Sequence, residues 1–119
     1  MKVTDMLAEF LVETSLEDIP DLPRETAKLC LLDWLGATLA GYREPLGRIL
    51  FELSQEVGGE PQASLVGRGT KTSVLNAALI NGSVSHALDY DDVHLKMFGH
   101  PTVPVAPAAF ALGECACRG

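Results

Sequence analysis

The sequence predicts a mainly α-helical fold, and three observations carry that expectation. Apolar residues recur at three- and four-residue spacing through most of the 119 residues. Glycine and proline fall between these periodic stretches, where helices have to stop. Only one short segment, residues 62–66, has the composition of an extended piece.

Residues 4–14 put Met6, Leu7, Phe10, Leu11 and Thr14 at helical spacing, with Glu9 and Glu13 on the other side. Thr4 or Asp5 is available as the N-cap, since a short side-chain oxygen can accept from the first free N–H groups. Residues 15–23, with Asp18, Pro20, Asp21 and Pro23, form a turn. Pro23, Arg24 and Glu25 then suit the first turn of a second helix that runs to about Ala40, because proline has no N–H to leave unpaired there. Ala27, Cys30, Leu31, Trp34, Leu35, Thr38 and Leu39 give this helix a wide apolar face, and Gly41 is its stop. Residues 45–57 repeat the pattern with Leu46, Ile49, Leu50, Leu53 and Val57, and Gly58 and Gly59 close it.

After the extended piece, Gly67, Arg68 and Gly69 break the chain before a helical stretch over residues 73–89, in which Asn81 and Gly82 are small enough for close helix packing. The glycines complete neither a Walker loop nor a dinucleotide fingerprint, so no nucleotide site is expected. Pro101, Pro104 and Pro107 punctuate the next apolar stretch, and residues 108–117 read as the opening turns of a last helix.

A chain of this size hides about two thirds of its unfolded surface, enough for a single core. Sixteen acidic against nine basic residues give a net charge of -7. That balance argues against binding to nucleic acid or anionic membranes, both of which need a basic surface. Residues 1–60 carry 12 acidic and 5 basic side chains and residues 61–119 carry 4 of each, so the net charge lies in the first half. Cys30, Cys115 and Cys117 form no secreted framework and no C-x-x-C pair. No stretch approaches the roughly 18 to 20 apolar residues of a membrane helix, and no signal peptide is visible. A cytoplasmic setting is the expectation.

The unusual feature is one window. His86, Asp89, Asp91, Asp92, His94 and His100 lie within fifteen residues. Grouped carboxylates shift one another's protonation, and imidazoles titrate near neutrality, so the window can supply both an acid and a base around a small molecule. Gly99 and Pro101 hold His100 in a tight turn, which makes it the better functional candidate. His86 reads as a hydrogen-bonding residue of a helix interface, and Lys96 as a surface residue over Met97 and Phe98. The spacing matches neither H-E-x-x-H nor a closed zinc pattern, so no metal or other cofactor is expected.

Several stretches together carry a resemblance: residues 33–41 (Asp33 to Gly41), the Gly67-Arg68-Gly69 turn, residues 76–82 (Asn76 to Gly82), residues 86–92 (His86 to Asp92) and Gly99-His100-Pro101-Thr102. In these the sequence resembles the MmgE/PrpD family, which includes iron-sulfur-independent 2-methylcitrate dehydratases and cis-aconitate decarboxylases. The resemblance implies the N-terminal part of a large, all-helical domain, over residues 1–119, with further chain completing it. It also implies a homodimer and a small polycarboxylate substrate. Carried over residue by residue, it makes Asp89 and His100 the catalytic pair, while Asp91, Asp92, His94 and Thr102 are expected to meet the substrate. Dehydration of a 2-methylcitrate-like hydroxy acid is the reaction expected first. Val93 and Thr102 stand where the family often has Thr and Ser, so decarboxylase or epimerase chemistry stays open, as does a purely structural helical piece.

Overall fold

A computed structural model describes residues 2–117. The elements are α1 (Val3–Glu13), a 3-10 turn (Leu16–Asp18), α2 (Asp21–Gly41), α3 (Pro45–Val57), β1 (Ala63–Leu65), β2 (Thr70–Thr72), α4 (Val74–Ser85) and α5 (Thr102–Ala116). The expected mainly helical architecture is what the chain forms.

Helix α4 is the hub, packed against α2, α3, α5 and the hairpin. It buries Ala77, Ile80, Asn81, Val84 and Ser85. Ala77, Ile80 and Val84 join Tyr42, Ala63, Leu65 and Ala111 in one largely aliphatic core. The α2–α4 approach depends on Gly41, where a Cβ would collide with the Val84 carbonyl. Trp34 of α2 stacks on Phe110 of α5 with ring centroids 5.4 Å apart, which fastens the third side of the bundle.

A buried polar node ties the hairpin to α4. Asn81 Nδ2 donates to the Ser64 carbonyl at 2.9 Å, and Asn81 Oδ1 accepts from Val66 N–H at 3.0 Å and from the Tyr42 hydroxyl at 3.1 Å. Burial pushes the Tyr42 hydroxyl up to about 12, against a smaller opposing pull from the Arg68 guanidinium. That guanidinium lies 4.7 Å from the Tyr42 ring centroid and 4.8 Å from that of Phe51.

Several boundaries differ from expectation for local reasons. Helix α1 starts at Val3 with Lys2 at the N-cap, and Asp5 serves from the third helical position by accepting the Lys2 N–H at 3.2 Å. Helix α2 begins at Asp21, so Pro23 lies inside its first turn, where no donor is missed. The extended piece gains an antiparallel partner, Thr70–Thr72, with Ala63 opposite Thr72. The link between them uses the left-handed φ of Gly67 (73°) and Gly69 (64°).

Helix α4 ends at Ser85 instead of Asp89, and Asp89 itself has a left-handed φ of 53°. Three carboxylates at the negative end of the helix dipole favour this early exit. Helix α5 begins at Thr102, well before residue 108. Pro104 sits in its first turn, and Pro107 is buried beside Gly82, where a Cβ would lie 3.3 Å from Pro107 Cγ.

The amphipathic pattern of α1 forms its helix but buries no residue. Its large apolar side chains are exposed, from 52% at Met6 to 86% at Val12. Among the described residues no helix is long and apolar enough to cross a membrane.

Candidate active site

The end of α4, the turn after it and the start of α5 bring four side chains of the Asp/His window together. His86 is the C-cap of α4. The chain turns through Ala87 N–H to Val84 O (3.2 Å) and Asp89 N–H to His86 O (3.1 Å). The left-handed Asp89 then sends Asp91 inward while its own carboxylate stays in solvent, 78% exposed. A loop closed by His94 N–H to Gly99 O at 2.9 Å returns the chain and delivers His100 over the same spot.

Asp91 is the floor of this cluster, with a side chain only 2% exposed. Its Oδ1 lies 2.9 Å from His86 Nδ1. His100 Nδ1 lies 3.2 Å from the Asp91 backbone carbonyl and 3.2 Å from Asp91 Oδ2. Only the carbonyl is aligned for a hydrogen bond; Oδ2 gains an ion-pair distance and is otherwise a buried oxygen without a hydrogen-bond partner. Carboxylate and carbonyl oxygens accept but do not donate, so both imidazoles carry hydrogen on Nδ1. In the neutral rings each Nε2 then bears a lone pair.

Both Nε2 atoms face Asp89. Its Oδ1 is 3.5 Å from His100 Nε2 and 3.9 Å from His86 Nε2. The rings meet edge to face, with centroids 4.6 Å apart and planes at 68°. Asp91, through its carboxylate at His86 and its backbone carbonyl at His100, therefore aims two proton-accepting nitrogens at one exposed carboxylate. This arrangement can take and return protons at a single point on the surface. The same three outward groups, His86, Asp89 and His100, are also placed to act as ligands, with one donor atom from each all within 4.8 Å of one another.

The other expected residues have different surroundings. Asp92 accepts from the Thr102 N–H at 3.3 Å and from the Thr102 hydroxyl at 2.6 Å, so its carboxylate caps α5. Its own N–H donates to Asp33 of α2 at 3.0 Å. His94 is exposed, and its ring meets Met97 N–H at 3.3 Å within its own loop. His86, read from sequence as a residue of a helix interface, instead joins the cluster. A helix continued to Asp89 already sets His86 and Asp89 on one face, but it leaves Asp91, the partner that holds His86, pointing elsewhere.

Two open grooves flank the cluster. One of about 430 Å³ between α4 and α5 is lined by Leu79, Gly82, Ser83, His86, Val103 and Pro104. The other, about 420 Å³ between α2 and α5, is lined by Cys30, Leu31, Asp92, Thr102, Val105 and Phe110. Asp89 and His100 border neither groove.

Comparison with known proteins identifies the family of this helical chain. Residues 5–119 match the MmgE/PrpD N-terminal domain. The chain belongs to the MmgE/PrpD family. It is 29% identical over 117 residues to a cis-aconitate decarboxylase-like protein, oryM, of Aspergillus oryzae (strain ATCC 42149 / RIB 40), covering 98% of this chain and 24% of that protein. To a cis-aconitate decarboxylase of Aspergillus terreus it is 27% identical over 112 residues, covering 94% of this chain and 23% of the other. This MmgE/PrpD chain thus spans about a quarter of the length of the curated relatives it matches. Membership places it in a lyase-type family, in agreement with the resemblance read from its motifs.

Proposed function

We propose that this chain contributes the acid/base part of a lyase site for small polycarboxylates, with His100 and Asp89 as the groups that move protons. The observation that carries the reading is the fixed direction of His100: Asp91 holds its Nδ1 and turns its Nε2 toward Asp89, 3.5 Å away. His86 Nε2 stands on the same side as a second proton acceptor. Decarboxylation of a cis-aconitate-like substrate and dehydration of a 2-methylcitrate-like one both need a positioned group that moves a proton to or from carbon. In the first, the C–C bond to a carboxylate breaks, its electron pair stays on carbon as carbon dioxide leaves, and an acid delivers a proton to that carbon. In the second, a base removes a proton beside a carboxylate and the neighbouring hydroxyl leaves as water.

The names of the relatives favour decarboxylation, whereas dehydration is the reaction the sequence motifs suggest first. A substrate with several carboxylates needs cationic or donor groups around it, and the cluster holds none besides its imidazoles. We assign those groups to further chain or to a second copy of this one, so the isolated 119 residues are expected to be inactive.

The test supplies cis-aconitate and 2-methylcitrate separately to a protein of the relatives' length that carries this domain, with products identified by NMR. Conversion of one of them, with a loss of about 10²–10⁴-fold in His100→Ala and in Asp89→Asn, supports the reading. Equal rates in wild type and His100→Ala remove it.

A further inference from the structure

We propose that His86, Asp89 and His100 form a divalent-cation site, selective for zinc-like ions, whose occupation blocks proton transfer instead of assisting it. Three features lead there. First, the donor atoms converge: Asp89 Oδ1 lies 3.5 Å from His100 Nε2 and 3.9 Å from His86 Nε2, and one donor from each residue falls within a 4.8 Å group. With metal–ligand bonds of about 2.0–2.1 Å, tetrahedral donors stand roughly 3.3 Å apart, so the set needs closure of no more than about 1.5 Å. The widest gap lies between the two imidazole nitrogens, so rotation of the His86 ring, 46% exposed, provides most of it, while the 78% exposed Asp89 carboxylate follows.

Second, both imidazoles are already in the tautomer that a metal requires. Asp91 takes both Nδ1 positions, at 2.9 Å from His86 and 3.2 Å from His100, and leaves both Nε2 lone pairs outward. A carboxylate behind a histidine is the arrangement that orients metal-ligating imidazoles and raises their basicity. Here the Asp91 carboxylate does this for His86, and the Asp91 backbone carbonyl holds His100. Third, Asp91 Oδ2 is buried without a hydrogen-bond partner and faces His100. A cation on the far side of the rings adds positive charge to both imidazoles beside that carboxylate, which offsets the cost of keeping it buried.

Two imidazole nitrogens and one carboxylate oxygen suit zinc, cobalt or nickel, whereas magnesium and calcium prefer all-oxygen sets. Three ligands on an open surface leave a further position for water or a carboxylate. Coordination occupies the lone pairs that proton transfer uses, so zinc is expected to inhibit. That consequence rests on the proposed lyase reading; ion binding does not.

The experiment titrates the full 119-residue chain, stripped with EDTA, with Co²⁺ and follows its visible absorption. One equivalent with the intense bands of a four-coordinate nitrogen/oxygen site, displaced by Zn²⁺ and not by Mg²⁺, is expected. His86→Ala, His100→Ala and Asp89→Asn should each abolish it. The last of these is fully informative because the exposed Asp89 carboxylate supports no packing. Asp91→Asn should weaken binding about 10–100-fold. Absence of bound Co²⁺, binding that survives Asp89→Asn, or the near-ultraviolet charge-transfer band of thiolate ligation by Cys30, Cys115 or Cys117 overturns the site. In the lyase assay, reversible inhibition by Zn²⁺ that EDTA relieves supports the blocking role. An active enzyme that binds Co²⁺ but is indifferent to Zn²⁺ overturns that role alone, and binding without any lyase activity removes the proposed function while leaving the site.

Discussion

Asp91 Oδ1 lies 2.9 Å from His86 Nδ1, and the same carboxylate reaches His100 Nδ1 through Oδ2 at 3.2 Å. Two imidazoles thus share one buried anion. Replacing it by asparagine keeps the shape, an oxygen for the His86 Nδ1–H and the backbone carbonyl for His100, and removes only the buried negative charge between the two rings. Asp91→Asn is therefore expected to leave both Nδ1–H tautomers in place, visible in ring-nitrogen NMR, and, in a protein of the relatives' length, to lower the proposed lyase activity about 10–100-fold as loss of supporting carboxylates does. Unchanged activity in the variant, or a ring whose hydrogen has moved to Nε2, defeats this account.

The pairing of Asp92 with Thr102 places a second carboxylate in structure, at the positive end of α5. Asp92→Ala removes a cap for the Thr102 N–H and the acceptor for its hydroxyl. The expected loss is about 0.5–2 kcal/mol in urea unfolding, the usual range for an N-cap. Thr102→Val removes only the hydroxyl contact and should cost less. If the two variants are equally stable, the backbone part of the cap carries no weight.

Asn81 offers a sharper comparison. Its side chain satisfies Ser64 O, Val66 N–H and the Tyr42 hydroxyl at once, in a site only 3% exposed. Asn81→Leu strands all three, and each buried group left unpaired costs about 1–3 kcal/mol. Tyr42→Phe deletes one donor and leaves Asn81 Oδ1 served by Val66, so it should cost only about 1 kcal/mol. The hydroxyl, raised to about 12 mainly by burial, should ionise well after an unfolded tyrosine in a spectrophotometric titration. Its contribution to stability is present below the ordinary value of 10.0 and fades as pH rises through about 12.

Local signals explain which parts of this fold are legible without coordinates. Helix α3 is read to its ends because Pro45 opens it and Gly58, with φ 68°, closes it. The strand Thr70–Thr72 is too short to show alternation and exists only through its pairing with Ala63–Leu65. Helix α5 hides behind its prolines, since its cap, Asp92, belongs to a loop ten positions away in sequence. The Asp/His window is visible as a cluster, but its division of labour is not. That division depends on one backbone angle, the φ of 53° at Asp89, which sends neighbouring carboxylates to solvent, core and helix cap.

Glu114 sets the last prediction, a pH dependence. Burial alone would raise its carboxyl, but hydrogen bonds from Ser64 and the nearby Lys71 charge outweigh burial and hold it below its ordinary value of 4.5. The contacts are Ser64 N–H at 2.7 Å and Lys71 Nζ at 3.4 Å, so this α5 side chain fastens β1 and β2 together. A carboxyl depressed in the folded state stabilises it above the unfolded value, and that stability disappears as pH falls through the lower folded value. Wild type should therefore lose stability on acidification below about 4.5, and Glu114→Gln should start less stable and show a shallower decline. The side chain is 36% exposed, so solvent screening keeps the effect modest. Thermal unfolding at several pH values, run for both proteins, measures the difference; parallel curves would show that Glu114 has the same proton affinity folded and unfolded.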